Sequence, residues 1–288
     1  AEASFTVIGS IGLQGVRLLK PNLGETIVVI GLGLIGLITC QLLKANGVKT
    51  IGIDLDSNKC DIAKKWGILT LNPKNDNVIQ STMEQTNGNG VDGVLITAST
   101  KSNDVLSQAS KISRKQGRII LVGVVGLDIN RADFYEKELT FQVSCSYGPG
   151  RYDTQYEQNG IDYPFQYVRW TEKRNFESFL ELIKEGALHL KELITDVVQL
   201  QAFNNIYDDL DNNKSIASLL LYPGLKKNEL EKNTVTFDTL FFSPQKATFG
   251  IIGAGNFADR TMLPALKETE VTLKYIASQG GLNGTKLA

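Results

Sequence analysis

Histidine is nearly absent from this chain: among 288 residues only His189 carries an imidazole. Cysteine is scarce as well, with Cys40, Cys60 and Cys145 far apart and none in a Cys-x-x-Cys pair. Protein zinc sites draw three or four side chains from clusters of these residues. The chain alone therefore makes no such site. An odd, scattered set of cysteines is no disulfide framework either, and a reducing cytoplasm is the expected compartment. Cys40 falls in an apolar stretch and reads as a small buried hydrophobe. His189 has no base or ligand partner within sequence reach, so it is not read as catalytic. The chain also lacks charge of one sign. A net charge of -1 gives no electrostatic attraction to nucleic acid or to an anionic membrane. No apolar run approaches the ~18 residues of a membrane span, and no basic segment leads an apolar core as in a signal peptide. What is left is an ordinary globular composition, 42% hydrophobic and 21% charged, long enough for about two domains.

The stretch that organises the rest is Thr26-Ile27-Val28-Val29-Ile30-Gly31-Leu32-Gly33-Leu34-Ile35-Gly36. A β-branched run enters a Gly-x-Gly-x-x-Gly turn, and an apolar helix leaves it. Gly31 permits the tight turn, Gly33 lets backbone approach a pyrophosphate, and Gly36 lets the helix pack on the strand. The free N–H groups of that helix, with the positive end of its dipole, face the phosphates. The second strand ends on Asp54, 18 residues past Gly36, close to the ~20 expected of the acid that accepts hydrogen bonds from the adenosine ribose. Asp54 would repel a 2′-phosphate, which favours NAD over NADP. The plainer reading of Asp54 is a cap for the next helix, but Asp56 or Ser57 can fill that role.

Taken in order, the chain opens on Ala1 inside an amphipathic helix over residues 3–19, with Phe5, Ile8, Ile11, Gly12 and Val16 at helical spacing. So abrupt a start leads us to expect further sequence upstream. Strands are then expected over 26–30, 50–54, 68–71, 93–97, 118–122 and 139–144. The intervening helices fall over 35–45, 57–66, 77–85 and 102–112. Six strands with crossover helices make an α/β fold, a doubly wound parallel Rossmann sheet of order 3-2-1-4-5-6. Gly31–Gly36, Thr97–Thr100 and Gly123–Val125 then open onto one crevice.

Residues 146–224 form a small mixed α+β region. It begins with a turn-rich aromatic segment, Tyr147-Gly148-Pro149-Gly150-Arg151-Tyr152-Asp153, on a loop longer than most. Such a loop is either a substrate contact, with Arg151 meeting an anion, or a satellite core filled by its aromatics. A helix over 175–185, with Phe176, Phe179, Leu180 and Ile183 on its apolar face, follows. Then come strands over 194–198 and 218–222 about a helix over 202–210. A polar linker occupies 225–246. After it the opening theme recurs, with a strand over 248–252 and Gly253-Ala254-Gly255-Asn256-Phe257-Ala258. A helix over 259–267 and a strand over 271–277 complete a second, truncated Rossmann unit, 247–288. Ser278-Gln279 stands where the first unit has its acid, which weakens NAD there and leaves NADP, another ribose contact, or a packing role.

These motifs carry a resemblance. Residues 1–223 resemble the C-terminal two-thirds of a medium-chain (zinc-type alcohol) dehydrogenase. The carriers are Gly31 to Gly36, Gly52-Ile53-Asp54 with Lys59, and Gly117-Arg118-Ile119-Ile120-Leu121-Val122-Gly123. Residues 247–288 look like the opening of a Gfo/Idh/MocA (inositol dehydrogenase-like) domain. The tandem resembles bi-domain oxidoreductases of bacterial surface-polysaccharide synthesis. The resemblance implies that Asp54 and Lys59 hold the adenosine ribose and that Gly33, Leu34 and Ile35 hold the pyrophosphate. Thr97, Gly123 and Val124 would line the nicotinamide side. Gly253, Gly255 and Ala258 would form a second cofactor turn, and Tyr147 and Arg151 a substrate contact. Zinc is implied only if its ligands lie in an N-terminal domain, and a catalytic lysine motif would follow Ala288, so no catalytic residue is named. Strand 139–144 would pair with its twin in a homodimer. The reading is an NAD-dependent oxidoreductase acting on a secondary alcohol of a sugar or sugar nucleotide. A dinucleotide-binding sensor without turnover and a scaffold whose glycine turns serve only packing are the alternatives.

Overall fold

The structure, a computed structural model, describes residues 1–207, 215–223, 247–278 and 282–287. The chain divides into two compact units, Ala1–Leu221 and Tyr222–Ala288. The linker expected over 225–246 lies outside the described residues.

The first unit is built around β1 (Thr26–Ile30), paired in parallel with β2 (Lys49–Ile53) on one side and β4 (Val91–Ile96) on the other. With β3 (Leu69–Leu71), β5 (Ser113–Leu121) and β6 (Thr140–Val143), the sheet has the expected order β3-β2-β1-β4-β5-β6. Strand side chains alternate between faces, and β1 shows what that does here. Ile27 and Val29 join a core cluster containing Leu37, Ile38 and Leu42, while Val28 and Ile30 join another with Leu106, Ala109 and Ile112. Both faces are covered, so β1 is apolar at nearly every position. Each such burial contributes about 1.5–3 kcal/mol, and β1 is the anchor from which the glycine turn projects.

Five helices cover the sheet: α1 (Thr6–Leu19), α2 (Leu34–Ala45), α3 (Ser57–Lys65), α4 (Val78–Gln85) and α5 (Asp104–Ile112). Asp56 caps α3, accepting from Asn58 N at 2.9 Å, and Asn77 caps α4, accepting from Gln80 N at 3.2 Å. Most expected boundaries hold within two residues, but β5 starts five residues early. The Lys137 ammonium explains the difference. It donates to the carbonyls of Ser110, Lys111 and Ser113 at 2.8–2.9 Å, closing α5 so that the chain enters the strand at once. Two short helices were not foreseen, α6 (Arg131–Tyr135) and α7 (Thr154–Glu157). Neither is long enough to show a period; their caps, Asn130 and Asp153, are the only local signal.

The 146–221 region packs on the sheet domain. Its helix α8 (Glu172–Lys184) begins three residues before the expected start, with Thr171 accepting from Arg174 N at 3.4 Å. Its buried face is Glu172, Asn175 and Phe179, whereas Leu180, expected on the apolar face, is 42% exposed. Phe179 lies where α8 crosses α1 at Gly9; a Cβ there would stand 2.0 Å from the Phe179 ring. The expected helix over 202–210 appears as a 3-10 turn, Leu200–Ala202, followed by α9 (Asn204–Tyr207); residues 208–210 lie outside the description. Strands β7 (Ile194–Gln199) and β8 (Ala217–Leu221) pair in parallel. Leu188, Leu190, Leu193 and Ala217 complete the cluster on the Ile27 side of the sheet.

In the second unit β9 (Thr248–Ile252) pairs in parallel with β10 (Thr272–Ala277). The connecting helix opens as a π-helical turn, Ala258–Met262, before α10 (Leu263–Lys267). Pro264 accounts for it, because it has no N–H for the Arg260 carbonyl and its ring crowds the preceding turn. A last helix, α11 (Leu282–Leu287), follows β10.

Candidate functional site

The glycine turn sits where β1 gives way to α2. Gly31 has φ +95°, and its N–H donates to the Ile53 carbonyl at 2.8 Å, tying the turn to the end of β2. A side chain at Gly31 would meet the backbone of Ala98 at 2.6 Å. Gly36 is tighter still: a Cβ there would lie 1.8 Å from the Gly31 oxygen and 2.8 Å from Thr97 Oγ1. Gly33 differs. Its φ of -67° suits any residue, and no protein atom lies within 4 Å of where its Cβ would be. No side chain caps α2 at that end, in contrast to α3 and α4. The first N–H groups of α2 are thus left to an anion, and the open space beside Gly33 lets that anion approach.

Asp54 follows β2 and reaches back to this turn. Its Oδ2 accepts from Leu32 N at 2.6 Å and its Oδ1 from Asp56 N at 2.8 Å. An ionised carboxylate accepts about four hydrogen bonds, so acceptor capacity remains for further donors. Of the two readings of Asp54, the helix cap falls to Asp56, which caps α3, and Asp54 instead orients the glycine turn and keeps acceptor capacity. Leu32, the residue between the first two glycines, was missed as a partner because its role is carried by its backbone.

The ends of β4 and β5 close the other wall. Thr97, Gly123 and Val124 all arrive at the crevice, but Thr97 does not offer its hydroxyl to it. Thr97 Oγ1 donates to the Gly31 carbonyl at 2.6 Å and lies 3.2 Å from that of Ile30, so it pins the turn from below. A Cβ at Gly123 would be 2.1 Å from the Ala98 carbonyl. Val124 bridges Ser99 in parallel and leaves its side chain 71% exposed, an apolar surface at the mouth. Lys59 sits half-buried on α3, and no carboxylate pairs with it among the described residues.

Tyr147 and Arg151 come together on the loop after β6, where both are half-buried and already engaged within the loop and with α8. Arg151 pairs with Glu157 at 2.5 Å and lies 4.2 Å over Tyr152 and 5.5 Å over Tyr147. Tyr147 packs on Phe176 with ring centroids 5.2 Å apart, and its carbonyl accepts from Asn175 Nδ2 at 2.9 Å. His189 stacks on Trp66 at 6.4 Å, with Nδ1 4.0 Å from Glu192. Lys44, Lys65 and Gly67 share with it a shallow depression of about 860 Å³ at the C-terminal ends of α2 and α3, the opposite end of the sheet from the glycine turn. Cys40 is buried, and its thiol is pushed well above the usual range by burial. Cys60 is raised by burial and then by the charge of Asp54.

The second turn repeats the first in outline. Gly253 has φ +100° and donates from N to the Ala277 carbonyl at 2.8 Å, as Gly31 does to Ile53. The positions beside Gly253 and Gly255 are open, and Ala258 is buried where the first unit has Gly36.

Residues 35–160 match the family of zinc-binding dehydrogenases. Over 194 residues the chain is 32% identical to D-guloside 3-dehydrogenase of Escherichia coli K12, covering 65% of this chain and 51% of that protein. It is 26% identical over 222 residues to a probable D-xylulose reductase A of Emericella nidulans, covering 74% and 55%. The chain thus spans about half the length of the curated relatives it matches. An alcohol dehydrogenase from Thermus sp. ATN1 superposes with a TM-score of 0.61 at 21% identity, over 77% of this chain and 58% of that one, and shares the fold. Zinc itself finds no seat: among the described residues no group of three or more His, Cys, Asp or Glu is placed to hold a metal. The glycine turn and Asp54, by contrast, fit a dinucleotide. No described helix is long and apolar enough to cross a membrane.

Proposed function

We propose that this chain is the cofactor-binding part of an NAD-dependent dehydrogenase that oxidises a secondary alcohol of a sugar, polyol or sugar nucleotide. The observation that carries the reading is Asp54, held by Leu32 N and Asp56 N beside the open space at Gly33. That arrangement supports ribose binding, since a fixed carboxylate with acceptor capacity left would take ribose hydroxyls and repel a 2′-phosphate. Bound NAD supplies the hydride acceptor; the alcohol carbon loses hydride, its hydroxyl loses a proton, and a ketone results. The residues of this chain hold and orient. The N-terminus of α2 takes the pyrophosphate, Thr97 fixes the turn through Gly31, and Val124 offers an apolar wall toward the nicotinamide. The names of the relatives, a guloside dehydrogenase and a xylulose reductase, support the sugar or polyol class.

Surface-polysaccharide synthesis is the setting that the tandem of two glycine turns suggests. The second unit is read as a Gfo/Idh/MocA-like domain whose Gly253–Ala258 turn takes NADP or a differently held NAD. The edge strand β6, with Val143 55% exposed, is read as the seam of a homodimer in which twin strands pair; a monomeric sedimentation profile would remove that seam. A sensor that binds dinucleotide without turnover is the rival reading. It gains from Thr97, whose hydroxyl is spent on Gly31 rather than offered to a substrate.

Titration with NADH and NADPH tests the core of the proposal. NADH is expected to bind at least tenfold more tightly, and Asp54→Ala to lose that preference. An Asp54→Ala chain that melts normally and still prefers NADH would refute the assignment. Turnover of NAD with a panel of polyols and glycosides separates enzyme from sensor.

A further inference from the structure

Outside the residues that match the family model, α1 and the segment before α8 build a ladder of alternating cations and rings. Trp170 carries the Arg17 guanidinium at 3.3 Å from its ring centroid and that of Arg169 at 3.8 Å. Phe165 carries Arg169 at 4.6 Å and Arg174 at 5.2 Å. Stacking holds a guanidinium by its face and leaves its N–H edge free to bond. The charges on this ladder do not balance. Arg174 is satisfied, pairing with Asp162 at 2.6 Å and donating to the carbonyls of Val168 and Tyr163. Arg17 and Arg169 pair with no carboxylate among the described residues. The polar contact of Arg17 is a long one, 3.5 Å to Ser178 Oγ, and its Nε is buried with no acceptor. Burial, and after it the charge of Arg169, pulls the Arg17 guanidinium down to about 10, with no acid offsetting either.

Both guanidinium carbons lie close to one indole, so they stand within about 7 Å of each other, near enough to repel in a partly desolvated site. The geometry points to an oxyanion-binding site formed by Arg17 and Arg169 at the edge of Trp170, taking the phosphate, sulfate or carboxylate group of a ligand. Guanidinium edges match such groups in shape and bond them in pairs. The packing of α1 on α8 through Gly9 and Phe179 holds Arg17 in place before a ligand arrives. This site is independent of the dinucleotide reading, since no residue is shared.

The test is calorimetric titration of the full chain at constant ionic strength. The probes are inorganic phosphate, pyrophosphate and a uronic acid, with chloride as control. Arg169→Gln is the primary variant, since Arg169 is exposed and its loss leaves the α1–α8 packing intact; Arg17→Gln follows, with a thermal melt to check folding. Saturable binding of phosphate or pyrophosphate, weakened at least tenfold by Arg169→Gln, supports the site with a phosphate ligand. The same pattern for the uronate alone supports it with a carboxylate ligand. NADH affinity should change less than twofold in the variant. Phosphate binding that is insensitive to Arg169→Gln belongs to the N-terminus of α2 and overturns the proposal, as does the absence of saturable binding by every probe.

Discussion

Gly36→Ala puts the packing of the cofactor turn to a direct test. The added Cβ would stand 1.8 Å from the Gly31 oxygen, against an ordinary contact of 3.4 Å or more. Neither side can yield cheaply. Gly31 is held by its N–H on the Ile53 carbonyl and by the Thr97 hydroxyl on its own oxygen. Helix α2 cannot back away, because Thr39 Oγ1 already stands 2.4 Å from where a Cβ at Gly12 of α1 would be. Relief therefore breaks the two hydrogen bonds at Gly31, about 1 kcal/mol each, and adds an overpacking strain of about 1–3 kcal/mol. The better helix propensity of alanine returns about 1 kcal/mol. The net cost is about 2–4 kcal/mol, or roughly 5–15 °C in Tm for a unit of this size. NADH affinity should fall at least tenfold, since the N-terminus of α2 moves with the turn. Gly33→Ala is the matched control: its Cβ enters open space at an ordinary φ, so the melt should not move while NADH binding is lost. A Gly36→Ala chain melting within about 1 °C of the parent would refute the packing account. A Gly33→Ala chain that binds NADH normally would refute the placing of the pyrophosphate.

Lys137→Met removes the ammonium from three carbonyls at the end of α5 and should cost about 2–3 kcal/mol in urea denaturation, for hydrogen bonds made by a charged group; an unchanged midpoint would refute the capping role. Acid should destabilise the first unit through Asp92 and Glu25. Burial raises both carboxyls, but the Thr26 N–H with Arg114, and the Asn22 N–H with Arg118, outweigh it and hold them below the usual range. A depressed folded pKa gives stability that is present above the unfolded value, about 4, and lost as pH falls through the folded one. Urea midpoints should be level from pH 7 to 5 and fall below about 4, less steeply in Asp92→Asn; a steep loss above pH 5 would point to another group.

Much of the sheet was legible because burial on both faces writes itself as uninterrupted apolar strands, as in Ile27 to Ile30. The glycine spacing was legible for a similar reason: a turn that must pass close to other backbone excludes side chains, and a Cβ at Gly31 or Gly36 would meet backbone within 3 Å. The roles that escaped are those in which a side chain serves the main chain over a long sequence distance. Thr97 reads as a crevice residue but bonds Gly31, 66 positions earlier. Lys137, on which the sequence offers no pattern, ends a helix 24 to 27 residues upstream. The face of α8 was misread because two of its buried positions are Glu172 and Asn175, which an apolar pattern passes over. Arg151 was singled out as an anion contact on a long turn-rich loop, and the pattern gave no sign of the ion pair that Glu157, six residues on, makes with it.

The two glycine turns of this chain differ in what stands opposite them, and that difference argues for different duties. In the first, Ala98 crowds Gly31, and Asp54 bonds back to Leu32, so the turn is closed from both sides before any ligand arrives. Such rigidity lowers the ordering cost of binding. In the second, the position beside Gly253 is open, and among the described residues β9 pairs with β10 alone. At the end of β10 stands Ser278, whose hydroxyl is buried with no partner among the described residues, where the first unit has a carboxylate. A serine there neither repels a 2′-phosphate nor anchors the turn. If both turns take dinucleotides, the first should therefore select strongly for NADH and the second discriminate weakly. Ser278→Asp is the discriminating change: it should sharpen NADH preference at the second turn and leave the first untouched.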